Sequence, residues 1–286
     1  MTIFDWICQS AIHNPKSKMS PVIEFTDTEF MICTAARLLE DRKTVFVGWG
    51  MPQLVAMLAE RLYTPQVVQI FEFGAVGPQS QTPFIRGTMG GPTNVYRSLQ
   101  WSNMNWAFAY AATGYVDYGM IGAAQIDAHG NVNSTLLGGT YERPGRRFPG
   151  SGGGNEVAAL CWRTILVMKH EPRRFVEQLD FMTSPGYLDG PGAREKAGLP
   201  RGTGPWRVVT SRALFDFDDE TKRLKLLGAL KGLTASEVLQ GMEFKPLLAE
   251  RIEALAPPTN EELRILRDQI DPSGIVIRGE KMRVQR

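Results

Sequence analysis

The stretch TVFVGWGMPQLVAMLAERLYTPQVVQIFEFG, residues 44–74, decides the fold class. It begins with a short β-branched apolar run, TVFVG (44–48), that reads as a buried strand. The turn Gly48-Trp49-Gly50-Met51-Pro52 leads into QLVAMLAERLY (53–63), with Pro52 where the first turn of a helix tolerates a missing N–H. VVQIFEFG (67–74) then reads as a second buried strand. Strand, helix and strand within about thirty residues make a βαβ unit, which requires parallel pairing.

Upstream, Thr26-Asp27-Thr28-Glu29 has the pattern of a helix cap, followed by Phe30, Cys33, Ala36 and Leu39 at helical spacing. Residues 1–25, with Pro15 and Pro21, read as an N-terminal extension, and 26–286 as a single domain. Downstream, WAFAYAATG (106–114) predicts a helix closed by Gly114, and YGMIGAAQID (118–127) a strand that ends in the turn AHGNVN. TILVMKH (164–170) and WRVVTSRALFDFD (206–218) predict further strands, the second continuing into a hairpin with RLKLLGAL (223–230). TASEVLQGM (234–242) and TNEELRILRDQI (259–270) predict short helices, each capped by Thr. The expected architecture is α/β, an open, mostly parallel sheet flanked by helices.

Composition narrows the function classes. In 286 residues, 32 Lys and Arg stand against 30 Asp and Glu, so the basic excess typical of nucleic-acid binders is absent. Three Cys at irregular spacing make neither a disulfide framework nor a metal knuckle and point to a reducing compartment. No apolar run approaches the roughly 20 residues of a membrane span, and the first residues lack the basic region of a secretory signal. A cytoplasmic protein is expected. Glycine is uneven: 16 of the 29 fall between 119 and 204. Clustered glycine serves either a loop-rich connection or close backbone approach to a ligand, and composition leaves both open.

Common catalytic motifs are missing. There is no GxGxxG, no GxxxxGK[ST], no GxSxG and no HExxH; His13, His129 and His170 are isolated, so no metal site is expected. Cys161, between Leu160 and Trp162, reads as a small core residue. Glu72 stands out. It is the sole charge in QIFEFGAVGP (69–78), and an acid in such a run must be paired, hydrogen-bonded or used. The carboxyl end of a strand in an open α/β sheet is also where ligands gather. Both the structural and the functional reading of Glu72 fit that setting.

Several blocks resemble a known family. GAAQIDAHGNVNST (122–135), RRFPGSGGGNEVA (146–158), VMKHEPRRFVEQLDFMTSPGYLDGPGAREKAGLP (167–200), FDFDDETKRL (215–224) and PPTNEELRILRDQIDP (257–272) resemble the class I CoA-transferases, on the side of the glutaconate CoA-transferase B subunits. The resemblance covers roughly residues 26 to 275 and implies the NagB/RpiA-like fold of that family. The family's nucleophile is a glutamate in a Glu-X-Gly segment, and Glu72-Phe73-Gly74 occupies that place. The chemistry implied is ping-pong: an acyl-glutamyl anhydride, then a glutamyl-CoA thioester. Coenzyme A is then a substrate, with no permanently bound cofactor. An anionic tetrahedral intermediate needs preorganised donors, and backbone N–H groups of a glycine loop supply them. Gly152, Gly153, Gly154 and Asn155 are the candidates.

Gly50 matches the family's glycine-rich turn after the first strand and, with Gly74, is a candidate for the acyl or CoA path. Gln125 is a candidate substrate contact, although Asp127, Asn131 and Asn133 beside it fit turn chemistry equally. Arg173 and Arg174 fit either CoA phosphates or a solvated face. The resemblance implies an A-type partner subunit, in a hetero-oligomer of A–B pairs, acting on a carboxylic acid such as glutaconate or a related dicarboxylate. Residues 73–78 are bulkier than small-residue versions of the segment, which bears on acid specificity. The alternatives are a CoA-thioester hydrolase, a ring-opening hydrolase or a decarboxylase of the same fold, and beyond those a non-enzymatic ligand sensor.

Overall fold

A computed structural model describes residues 24–79, 82–85 and 90–278. Of the extension expected over 1–25, only Glu24 and Phe25 fall among these; Cys8 and His13 lie outside them. Thr26 caps the first helix, α1 (Asp27–Ala36), in a reciprocal box: its hydroxyl accepts from the Glu29 N–H, and its own N–H donates to Glu29 Oε2 at 2.8 Å. The chain continues through β1 (Thr44–Val47), α2 (Met51–Leu62) and β2 (Val68–Phe71), the expected βαβ unit. Two short strands, β3 (Ala75–Val76) and β4 (Gln100–Trp101), precede α3 (Met104–Ala112) and β5 (Tyr118–Gly122). Next come two hairpins, β6 (Gln125–Ile126) with β7 (Val132–Asn133) and β8 (Leu136–Gly139) with β9 (Pro144–Arg147). The second half runs α4 (Gly154–Leu160), β10 (Arg163–Met168), α5 (Ala193–Lys196), β11 (Pro205–Thr210), β12 (Ala213–Phe217), β13 (Leu224–Leu230), α6 (Ala235–Leu239), β14 (Leu247–Leu255) and α7 (Asn260–Arg264). A π-helical segment, Ile265–Ile270, extends α7.

Ten strands form one sheet in the order β14-β13-β12-β11-β10-β5-β1-β2-β3-β4. Its centre, β11-β10-β5-β1-β2, is parallel throughout, as expected. Antiparallel pairings lie on either side of that centre, β11–β12–β13 on one and β2–β3–β4 on the other. Period-two alternation sends Val45, Val47, Ile165 and Val167 into one core with α1 and α2. Phe46, Leu166 and Met168 enter the opposite core, under α3 and α4. Both faces of the central strands are therefore covered, which accounts for their continuous apolar character. The C-terminal segment is tied to α1 by two ion pairs, Arg37 with Glu262 (Nη2–Oε2 2.5 Å) and Arg267 with Glu29 (Nε–Oε1 2.6 Å).

Three elements differ from expectation. Residues 118–127 are not one strand: β5 stops at Gly122, and Gln125–Ile126 pair with β7 in a separate hairpin. Residues 206–218 split into β11 and β12 around Ser211-Arg212. There the Thr210 hydroxyl accepts from the Ala213 N–H at 2.9 Å and makes the turn that glycine or proline would usually signal. β14 was not expected, because LLAERIEAL is built from good helix formers; parallel pairing with β13 overrides that preference.

Candidate active site

The carboxyl ends of β1, β2, β5 and β10 converge on a cavity of about 690 Å³, reached by Gly48, Glu72, Gly122 and Val167 respectively. This is the edge where open parallel sheets collect ligands. Phe148 to Gly154 form one wall and Ser184 part of another, while Phe46, Val47, Met120, Ile121 and Val157 make the lining predominantly apolar. Among the described lining residues, Glu72 is the one anion and Arg174 the one cation.

The Glu-X-Gly segment is a tight turn. The Gly74 N–H donates to Phe71 O at 2.9 Å, which places Glu72 and Phe73 at its centre. Gly74 has φ +114°, and a Cβ there would lie 2.5 Å from Asn103 N, so only glycine lets the turn seat against the cap of α3. The Ser102 N–H closes the seat by donating to Gly74 O at 3.0 Å. The turn thus holds the Glu72 backbone while the half-buried side chain extends to the cavity wall. No described residue donates a hydrogen bond to its carboxylate.

Gly153 faces that carboxylate. It caps α4, and a Cβ built on it would stand 3.1 Å from both Cδ and Oε1 of Glu72 and 2.6 Å from Phe108 Cζ. The loop is pinned from behind: the Phe148 N–H donates to Thr135 O (2.8 Å), Gly150 N–H to Ser134 O (3.2 Å) and Gly154 N–H to Ser151 O (2.8 Å). The N–H groups of Gly152 and Gly153 have no acceptor among the described residues. The far end of α4 is anchored by Arg194, a buried guanidinium that donates to Ala158 O (3.2 Å), Ala159 O (3.0 Å), Gly186 O (2.7 Å) and Thr203 Oγ1 (2.8 Å). It satisfies carbonyls that the helix end leaves unpaired. No carboxylate among the described residues pairs with it, and burial holds its pKa below the ordinary arginine value.

The structure sorts the residues singled out by sequence. Glu72, Gly152, Gly153 and Gly154 all line the one cavity. Asn155 does not; it is exposed on the first turn of α4. Gly50, at φ +82°, caps α2 between Trp49 and Met51, which do line the cavity. Gly74 shapes the turn and stays outside the wall. Gln125 is buried and committed elsewhere, accepting from Asn133 Nδ2 (2.6 Å) and donating to Asp180 Oδ2 (3.1 Å). Asn131 likewise ties its turn to the next loop, accepting from the Gly186 N–H at 2.8 Å. His170 is a buried core residue bonded to Thr210 Oγ1 and Val238 O, and burial pushes the Cys161 thiol up to about 12. Ser184 and Phe148 were not assigned a site role by sequence, and Arg174 was left between CoA phosphates and a solvated face. Its contact with Ala123 O carries Arg174 to the cavity and away from a solvated face.

The family model for "Coenzyme A transferase" matches residues 28–241, which contain every residue of this cavity. The chain belongs to the coenzyme A transferase family. It is 34% identical over 260 residues to the B subunit of glutaconate CoA-transferase from Acidaminococcus fermentans, an alignment spanning 89% of this chain and 96% of that protein. It is 30% identical over 243 residues to the B subunit of 3-oxoadipate CoA-transferase from Pseudomonas knackmussii, across 85% of this chain and 92% of that one. The fold matches the crystal structure of glutaconate coenzyme A-transferase from Acidaminococcus fermentans with a TM-score of 0.82 and 33% identity, over 89% of this chain and 98% of the other. Fold class and family are therefore as the sequence blocks implied. No helix among the described residues is long and apolar enough to cross a membrane.

Proposed function

We propose that this coenzyme A transferase chain is the B-type subunit of an enzyme that moves CoA between carboxylic acids, with Glu72 as nucleophile and an A-type subunit as partner. One observation carries the reading. Among the described residues, the one carboxylate in an apolar cavity stands against the glycine that opens α4, with no donor engaging it.

In the first step a Glu72 oxygen attacks the thioester carbonyl of the acyl-CoA; the C–S bond breaks and CoA leaves as thiolate. The product is an acyl-glutamyl anhydride, which keeps the acyl group activated where a serine ester would not. The thiolate then attacks the glutamyl carbonyl. The bridging oxygen departs with the released acid, and CoA stays on Glu72 as a thioester. An acceptor carboxylate reverses both steps and returns one of its own oxygens to Glu72. In this reading the N–H groups of Gly152 and Gly153, which have no acceptor among the described residues, receive the oxyanion of each tetrahedral intermediate, a role in which each donor is worth about 10²–10³ in rate. The apolar lining strengthens those interactions by excluding water.

Two relatives named for glutaconate and 3-oxoadipate make these acids the first substrates to try. The test is acceptor dependence in the assembled two-subunit enzyme. Transfer predicts that CoA appears on the acceptor, and that ¹⁸O from the acceptor carboxylate emerges in the acid released from the donor on the following turnover. Free CoA released at a rate indifferent to acceptor would overturn transfer and favour thioester hydrolysis.

A further inference from the structure

Arg174 enters the cavity from the short turn Pro172–Arg174 that follows β10. Two bonds hold its guanidinium: Nη1 donates to Ala123 O at 3.0 Å and Nε to Glu171 Oε2 at 3.2 Å. Nη2 has no acceptor among the described residues. Glu171 does not neutralise it, because the same oxygen accepts from Arg173 Nε and Nη2 at 2.9 and 2.8 Å. Two guanidinium groups share one carboxylate. The Arg173 side chain is 77% exposed and the Arg174 side chain 24%, so the surplus charge is least screened on the cavity side. Ser184 adds a second donor: it is buried, lines the same cavity, and its hydroxyl has no described partner.

Position relative to Glu72 selects the ligand. Ala123, which braces Arg174, directly follows β5; Glu72 directly follows β2; and β1 runs between the two strands. Two inter-strand spacings put those backbones about 10 Å apart. An acid whose reacting carboxyl meets Glu72 therefore turns the far end of a short chain toward Arg174. The extended pantetheine arm of CoA carries its phosphates farther than this from the sulfur. Cations suited to them stand on the exposed β8–β9 hairpin, where Arg146 lies 4.9 Å over the Phe148 ring at the cavity wall.

We infer that Arg174, with Ser184, binds the distal carboxylate of a short dicarboxylic acid and sets the preference for diacids over monoacids of equal length. This rests on Glu72 as the reacting centre. A charge-assisted guanidinium–carboxylate pair in an apolar cavity gives about 10–100-fold discrimination.

The test is equilibrium binding of glutarate and of pentanoate, its monoacid counterpart, to the assembled two-subunit enzyme by calorimetry, for wild type, Arg174→Met and Arg174→Lys. The expected result is a glutarate-to-pentanoate affinity ratio that falls about 10–100-fold in Arg174→Met and less in Arg174→Lys, which keeps the charge without the fork. An unchanged ratio in both variants overturns the subsite. So does a loss of acyl-CoA affinity with the acid ratio intact, which would assign Arg174 to a phosphate. Because binding is read without turnover, the two proposals separate. Arg174-dependent glutarate binding in an enzyme that moves no CoA sinks the transferase reading alone. Transfer with an unaltered acid ratio sinks the subsite alone.

Discussion

Substituting Gly153 by Ala tests the contact on which the site is built. Gly153 has φ −82° and ψ 3°, a conformation alanine accepts, so any effect comes from the added methyl and not from backbone strain. That methyl would lie 2.6 Å from Phe108 Cζ and 3.1 Å from Glu72 Cδ and Oε1. The Phe108 ring is stacked on Phe46 with centroids 5.2 Å apart, so it has little room to withdraw, and the Glu72 carboxylate is the group that moves. Overpacking of this kind costs about 1–3 kcal/mol of stability, partly offset by the about 0.4–1 kcal/mol gained by removing a glycine from the unfolded chain. The effect on the reaction is larger, since a misplacement approaching 1 Å costs about 10²-fold, or roughly 2.7 kcal/mol of barrier. The assay is kcat for CoA transfer by the two-subunit enzyme, with urea unfolding in parallel. Gly154→Ala is the internal comparison: its Cβ would sit 3.7 Å from Ile121 Cγ2 and Ser184 Oγ, ordinary contact distance, and the loss should be much smaller. A Gly153→Ala enzyme within about threefold of wild-type kcat, or a Gly154→Ala enzyme damaged equally, would refute the reasoning.

Arg194→Met should lower stability by about 2–4 kcal/mol in urea unfolding, because it strands the buried carbonyls of Ala158, Ala159 and Gly186; a loss below about 1 kcal/mol contradicts that anchoring role. Acid unfolding should report Glu29 and Glu262. Burial raises both carboxyls, but hydrogen bonds from Arg267 and Thr26 to Glu29, and from Arg37, Thr259 and Tyr63 to Glu262, outweigh it and hold both below the ordinary carboxylate range. Their contribution is complete above the unfolded value of about 4.3 and is lost as pH falls through the depressed folded values. Glu262→Gln should therefore flatten the acid limb of stability against pH, and identical limbs in wild type and variant would contradict this.

The βαβ unit was legible because each part carries its own local signal: a β-branched run at Val45–Val47, Pro52 at a helix start, and an apolar strand interrupted by one acid. The Thr caps were equally legible, since a capping box lies within four residues. What failed was set by distant partners. β14 is a strand only because β13 offers it an edge, and the break between β11 and β12 depends on a threonine hydroxyl folding back on its own turn. The same division runs through the site. Glu72 was conspicuous as a lone charge among apolar neighbours, whereas the choice of Gly153 from its glycine run required the approach of α3 and β2. Gln125 could be read as a ligand contact or as part of the turn beside it, and its groups are taken up by Asn133 and Asp180, fifty-five residues away in the second case. Arg174 stood between a CoA-phosphate role and a solvated face. Its charged neighbours suggest solvent, and only the fold carries it back to the end of β5.

The central claim is that Glu72 carries the CoA. Incubating the assembled two-subunit enzyme with acyl-CoA alone, in the absence of acceptor, and mapping its peptides by mass spectrometry tests this most directly. The account predicts a hydroxylamine-sensitive CoA adduct on the peptide containing Glu72, absent from Glu72→Gln. An adduct on another residue, or full transfer by Glu72→Gln, would contradict it.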